Sequence, residues 1–296
     1  MRAWIARAAE AGRQVGERAD LWPAGALAFL VYLGWLPLLV TVAPSVRTSQ
    51  LVLFGAGLVS ASLFPLNILL IAAGILALVL VACAAAALAE ADLLDGLPTV
   101  GAGSPRPMVD RPSVFAVLVV ALLPAAAAAG ALVAGLAFIA PDALTSPDSG
   151  GSLPERLVTG LGPFIVVLVA ALLVGQALGA AAIRRLPGAG RGLLAALGEG
   201  LLDILRRPAR RLGIAFVATM LDLLSVVLAI QLLGNLWAPI GERMTSARFL
   251  SPETLLLLLG FIVVWLVTLA VMGAAHAWVS AWWSLELAPR SAEAVT

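Results

Sequence analysis

From Phe64 to Ala89 the chain carries not one charged side chain. A helix that crosses a bilayer needs about 20 mainly apolar residues. Inside the bilayer only a helix or a closed barrel satisfies its own backbone hydrogen bonds. Five further stretches of the same character can be read, which places spans at 21–43, 64–89, 114–139, 157–182, 212–237 and 255–283. The expected fold class is all-α: a polytopic transmembrane helix bundle, six spans as three hairpins with interfacial amphipathic helices. Residues 51–62 are too short a run to cross and read as a re-entrant or surface helix.

Composition agrees. Hydrophobic residues make up 62% of the chain and charged ones 12%, with a mean hydropathy of +1.06. That charge cannot solvate a water-soluble protein of 296 residues. The net charge of +1 gives no footprint for nucleic acid, and none is expected as a partner. All 18 basic residues are Arg, which with the abundant Ala and Gly reads as the coding bias of a GC-rich bacterium. The lone Cys83 excludes an internal disulfide and a cysteine-based metal cluster, and reads as an inert buried thiol.

Arginine placement sets the expected orientation. Arg2, Arg7, Arg13, Arg18, Arg106, Arg111, Arg184, Arg185, Arg191, Arg206, Arg207, Arg210, Arg211 and Arg290 fall on one side of the six-span scheme. Only Arg47, Arg156, Arg243 and Arg248 fall on the other. The positive-inside rule therefore puts both termini in the cytoplasm of a bacterium, with the chain in its inner membrane. The layout is then a cytoplasmic amphipathic helix at 1–20, one transmembrane domain over 21–289 and a tail at 290–296. Residues 90–111, acidic and then rich in Gly and Pro, read as a loop.

Two amphipathic segments stand outside the spans. In the first, Trp4, Ala8, Ala11 and Val15 share a face, and no cleavable signal is read there. In the second, 193–207, Leu194, Leu197, Leu201 and Ile204 recur at helical spacing, with Glu199, Asp203 and Arg206 opposite. Asp203 is spaced to meet Arg206 or Arg207. Pro208 breaks the helix, and Arg206, Arg207, Arg210 and Arg211 crowd the break. Such a helix either lies in the membrane surface against anionic headgroups or packs as an ordinary loop helix on the bundle. Trp278, Trp282, Trp283 and Glu286 read as an aromatic belt at the inner end of the last span.

Ionisable groups inside a span cost about 2.5–3.5 kcal/mol near its centre on insertion scales, so they are candidate functional residues by default. Asp222 and His276 fall at similar depths in the last two spans, with Thr219 and Ser225 flanking Asp222. The pair reads either as a proton-linked or substrate-binding site or as a structural hydrogen bond. Gln176 lies in a small-residue strip formed by Ala171, Gly175 and Gly179, which permits close helix approach within the bundle or to another subunit. No phosphate loop or zinc-type His pair occurs, and a hydrolase triad would need His276 deep within a span. No catalytic residue, metal or cofactor is assigned.

The run from Glu199 through Arg206-Arg207-Pro208 into Leu212, with the polar-ended hairpins, resembles bacterial six-span proteins like the membrane domain of glycerophosphodiester phosphodiesterases. The soluble catalytic domain is missing, so the resemblance implies no hydrolase activity. The expected role is a non-enzymatic membrane subunit or lipid-facing module, whose partners are membrane lipids, a membrane protein or a second copy. Alternatives are a small transporter with an intramembrane Asp222/His276 site and a membrane-embedded lipid-modifying enzyme.

Overall fold

A computed structural model describes residues 2–42, 57, 60–97, 109–145, 153–186, 192–244 and 251–287. Among them every regular element is helical. Helix α1 (Arg2–Glu17) leads through a 3-10 turn (Ala19–Leu21) into α2 (Trp22–Phe29), a π-helical turn (Leu30–Gly34) and α3 (Leu36–Val42). Then come α4 (Leu66–Gly96), α5 (Arg111–Thr145), α6 (Leu153–Ile183), α7 (Leu193–Arg206), α8 (Pro208–Met244) and α9 (Pro252–Leu287).

Five helices are long and apolar enough to cross a membrane, and a sixth span is present if Ala19–Tyr32 and Leu36–Val42, bent by 52°, count as one. The first of the six expected spans, 21–43, is thus the bent one. Its helix opens into a π turn and breaks at Trp35, between Gly34 and Pro37. Four of the others cover the expected segments and run past both ends, and α4 begins two residues inside its segment and runs past its end. The clearest overrun is α4, which continues through the acidic stretch expected to be loop. Its apolar side chains explain why: Ala91, Leu93 and Leu94 are buried, while Asp92 and Asp95 point outward. Tertiary burial holds the helix where local composition signals its end. Most of the expected surface helix at 51–62 lies outside the described residues.

Helix starts follow local chemistry. Asp110 accepts bonds from the Ser113 amide (3.2 Å) and hydroxyl at the head of α5. The Ser251 hydroxyl accepts from the Thr254 amide (3.3 Å) ahead of α9, with Pro252 at the first helical position. Pro208 ends α7 and begins α8, as its missing N–H requires.

The chain divides into two compact units, Met1–Ser104 with Met220–Thr296, and Pro105–Thr219. In the first, α2 packs along α9 at glycine-to-glycine distance. A Cβ on Gly25 would collide with the Gly273 carbonyl, and one on Gly273 with the Trp22 carbonyl. Phe29, Val226, Leu269 and Met272 form one apolar cluster, and Leu233, Ile240 and Phe261 another. Helix α1 lies against the end of α9: Trp4 packs on Trp282 (centroids 4.6 Å), and the Trp278 indole donates to the Ala8 carbonyl (2.7 Å). The expected apolar face of α1 is therefore right, with Ala11 and Val15 fully buried, but protein covers it. Trp282, Trp283 and Glu286 are likewise buried. They form a packing cluster where a lipid-level belt was expected. Arg7 closes it with an ion pair to Glu286 (3.0 Å).

In the second unit, α5 and α6 pack through the small strip: a Cβ at Gly175 would collide with the Ala121 carbonyl. Gly200 of α7 sits against Ala182 of α6 in the same way. Of the two uses open to the strip, contact within the bundle is the one seen.

Candidate functional site

The first unit gathers ionisable groups from four elements. His276 and Ser280 are one turn apart on α9 and so face the same way. Both reach Glu90 on α4: the imidazole Nε2 lies 3.0 Å from Glu90 Oε1, and the Ser280 hydroxyl 3.5 Å from Oε2. The imidazole and the carboxylate are both largely buried, with 14% and 12% of their side chains exposed. Tyr32, in the middle of the π turn, sets its ring 6.1 Å from the imidazole. The Tyr32 hydroxyl is within electrostatic reach of Glu90, Cys83 and Asp222.

The structure places Asp222 on α8 one turn before Val226, which packs in one apolar cluster with Met272, one turn before His276 on α9. The hydrogen bond of the imidazole goes to Glu90 instead, and Asp222 makes no hydrogen bond among the described residues. The two residues expected to support it do not. Ser225 donates to the Leu221 carbonyl of its own helix (2.7 Å), and Thr219 donates to Gln176 Oε1 (2.7 Å). Thr219 and Gln176, read from sequence as separate supporting polar residues, thus meet each other in the second unit. Glu90 was missed because a carboxylate at the edge of an apolar run reads as the start of a loop. Ala91, Leu93 and Leu94, which keep apolar spacing beyond it, were the available signal.

The second unit carries a different surface. Helix α7 buries Ala196, Gly200 and Ile204 and leaves Leu194 (83%), Leu201 (45%) and Leu205 (65%) exposed along one strip. Small residues face protein and most leucines face outward, so the four residues expected to share one face divide: Leu194 and Leu201 are exposed and Ile204 is buried. Arg206 and Arg207 are exposed beside the strip. Arg211 is not: it is 2% exposed, its Nε 2.6 Å from Asp203 Oδ2. The break at Pro208 folds the start of α8 back so that Asp203 meets Arg211 rather than Arg206 or Arg207. Arg210 is half-buried. Of the four arginines expected to form one basic surface, two stand open.

The fold is that of a polytopic helical membrane protein, with a cluster of ionisable groups in its first unit. No protein-family model, no curated protein and no solved structure matches the chain.

Proposed function

We propose that the chain is a non-enzymatic module of the bacterial inner membrane, both termini cytoplasmic, which presents a lipid-facing surface at α7. The observation that carries this reading is the exposed strip of Leu194, Leu201 and Leu205 beside the exposed Arg206 and Arg207. Moving a leucine out of water is worth roughly 1.5–3 kcal/mol. An arginine near an anionic surface adds about 1 kcal/mol and fades with salt. Insertion of the strip among acyl chains therefore dominates, and the arginines select anionic headgroups. The strong bias of arginines to one side of the span scheme supports the cytoplasmic placement.

The test uses a Leu194→Cys variant in a Cys83→Ala background, labelled with an environment-sensitive fluorophore and reconstituted in vesicles. Emission characteristic of an apolar setting is expected, quenched by a lipid-borne quencher. In vesicles containing phosphatidylglycerol the quenching is stronger at low salt, and Arg206→Gln with Arg207→Gln removes the excess. A fluorophore reporting water in every vesicle would overturn the reading.

A further inference from the structure

The intramembrane cluster of the first unit has its own logic, which holds or fails whatever α7 touches. It lies beside a discontinuity: Tyr32 occupies the π turn Leu30–Gly34, and the span bends by 52° beyond it. π turns inside helices occur often at functional sites. Broken spans next to ionisable groups recur where membrane proteins hold ions. Here the break and the ionisable groups are independent features of the chain, contributed by separate elements, and they meet at His276.

We propose that Glu90, His276 and Asp222 form a proton-binding site at the break of the first span. The charge count supports it. One imidazolium can balance one carboxylate, and Glu90 takes that place by its 3.0 Å bond. Asp222, half-buried in an apolar span with no hydrogen bond among the described residues, would as an anion have only an imidazolium already paired with Glu90 to balance it, which is costly at that depth. Asp222 therefore carries the exchangeable proton. Release breaks its O–H bond, passes the proton to solvent and takes the trio from neutral to a single negative charge. Uptake reverses each change, and no redox partner is needed. Among the described residues Glu90 on α4 bonds the imidazole, Tyr32 on the π turn sets its ring beside it and Asp222 lies on α8, packed against the same helix; Cys83 on α4 lies near Tyr32. From α1, Arg7 is engaged by Glu286, ten residues beyond His276 along α9.

The chain has one histidine, so selective 15N labelling of histidine gives a single imidazole reporter. The protein in lipid vesicles is titrated from about pH 5 to 9, the range in which histidine ordinarily responds. The signal is expected to change with pH, the change being lost in Asp222→Asn and its midpoint displaced in Glu90→Gln. Thr268→Ala, whose hydroxyl bonds only its own helix at the Val264 carbonyl, should titrate like the parent. Glu90→Asp keeps the charge and serves if Glu90→Gln does not fold. A signal fixed across the range in the parent would overturn the proposal. So would curves that coincide in the parent and Asp222→Asn, or a response to sodium at fixed pH without any response to pH.

Discussion

Glu90 and His276 lie 186 positions apart in sequence and 3.0 Å apart in space, joining α4 to α9. Ser280 reaches the same carboxylate from one turn further along α9 (3.5 Å); the imidazole makes the shorter contact. This contact makes a residue at the edge of an apolar run the partner of the only histidine.

Removing one member of this pair strands the other. Glu90→Leu and His276→Leu should each destabilise the protein by about 1–3 kcal/mol, the cost of a buried polar group left unmade. The double variant should recover part of that loss. A positive coupling of about 0.5–3 kcal/mol is expected for groups in contact, measured by thermal unfolding in detergent. The cycle on Asp222 and His276 should couple less, because they share no hydrogen bond. Equal couplings in the two cycles would contradict the geometry.

The Arg7–Glu286 pair should control how firmly α1 is held. Glu286 is buried, so Arg7→Ala removes the cation facing a carboxylate that water does not reach. Every basic residue is Arg, and trypsin cleavage after Arg13 and Arg18 therefore reports on α1 opening. Faster cleavage at both is expected in Arg7→Ala and in Glu286→Ala. If digestion keeps the parent's rate, the Trp4, Trp278 and Trp282 packing holds α1 alone.

Helix contact in the second unit predicts opposite signs for two glycines. Gly175→Val drives a side chain into the Ala121 carbonyl, an overpacking cost of about 1–3 kcal/mol. Gly213→Ala meets nothing within 4 Å and replaces a poor helix former, which should stabilise by up to about 1 kcal/mol. Thermal unfolding of both variants decides. A Gly175→Val protein as stable as the parent would mean that α5 and α6 do not approach so closely.

The proposed orientation has its own test. Reporter fusions at Gly101 and Gly188 should behave as cytoplasmic, and those at Gly150 and Met244 as external. An external signal at Gly188 would invert the arginine-rich side and remove the basis for anionic headgroup contact.

The spans and the α7–α8 junction were legible because they depend on local rules. Apolar length sets a span, and Pro208 ends a helix wherever it falls. The face of α1 was equally plain, since Ala11 and Val15 repeat at helical spacing, but what covers it was not. Trp282 and Trp4 meet across nearly the whole chain, and spacing carries no record of that. In α7 the four residues expected on one face divide for a physical reason. In water, leucines turn inward, but beside lipid they lose nothing by facing out, and Ala196 and Gly200 gain by letting α6 come close. Glu90 was hidden by the opposite effect: an acidic residue signals a helix exit unless a distant imidazole compensates it.

Along α4 every side chain from Ile68 to Val81 is exposed, while Cys83, Ala86, Ala87, Ala89, Ala91, Leu93 and Leu94 are buried. The helix should consequently show two regimes of mutational tolerance. In a saturation library scored for accumulation of the protein, the first half should accept Leu, Ile, Val and Phe interchangeably, because only hydrophobicity is read there. In the second half, the buried alanines should reject anything larger, while the exposed Ala84, Leu88 and Asp92 accept many residues. The boundary at Cys83 would then divide a stretch where sequence drifts freely from one where shape, residue by residue, is what selection sees.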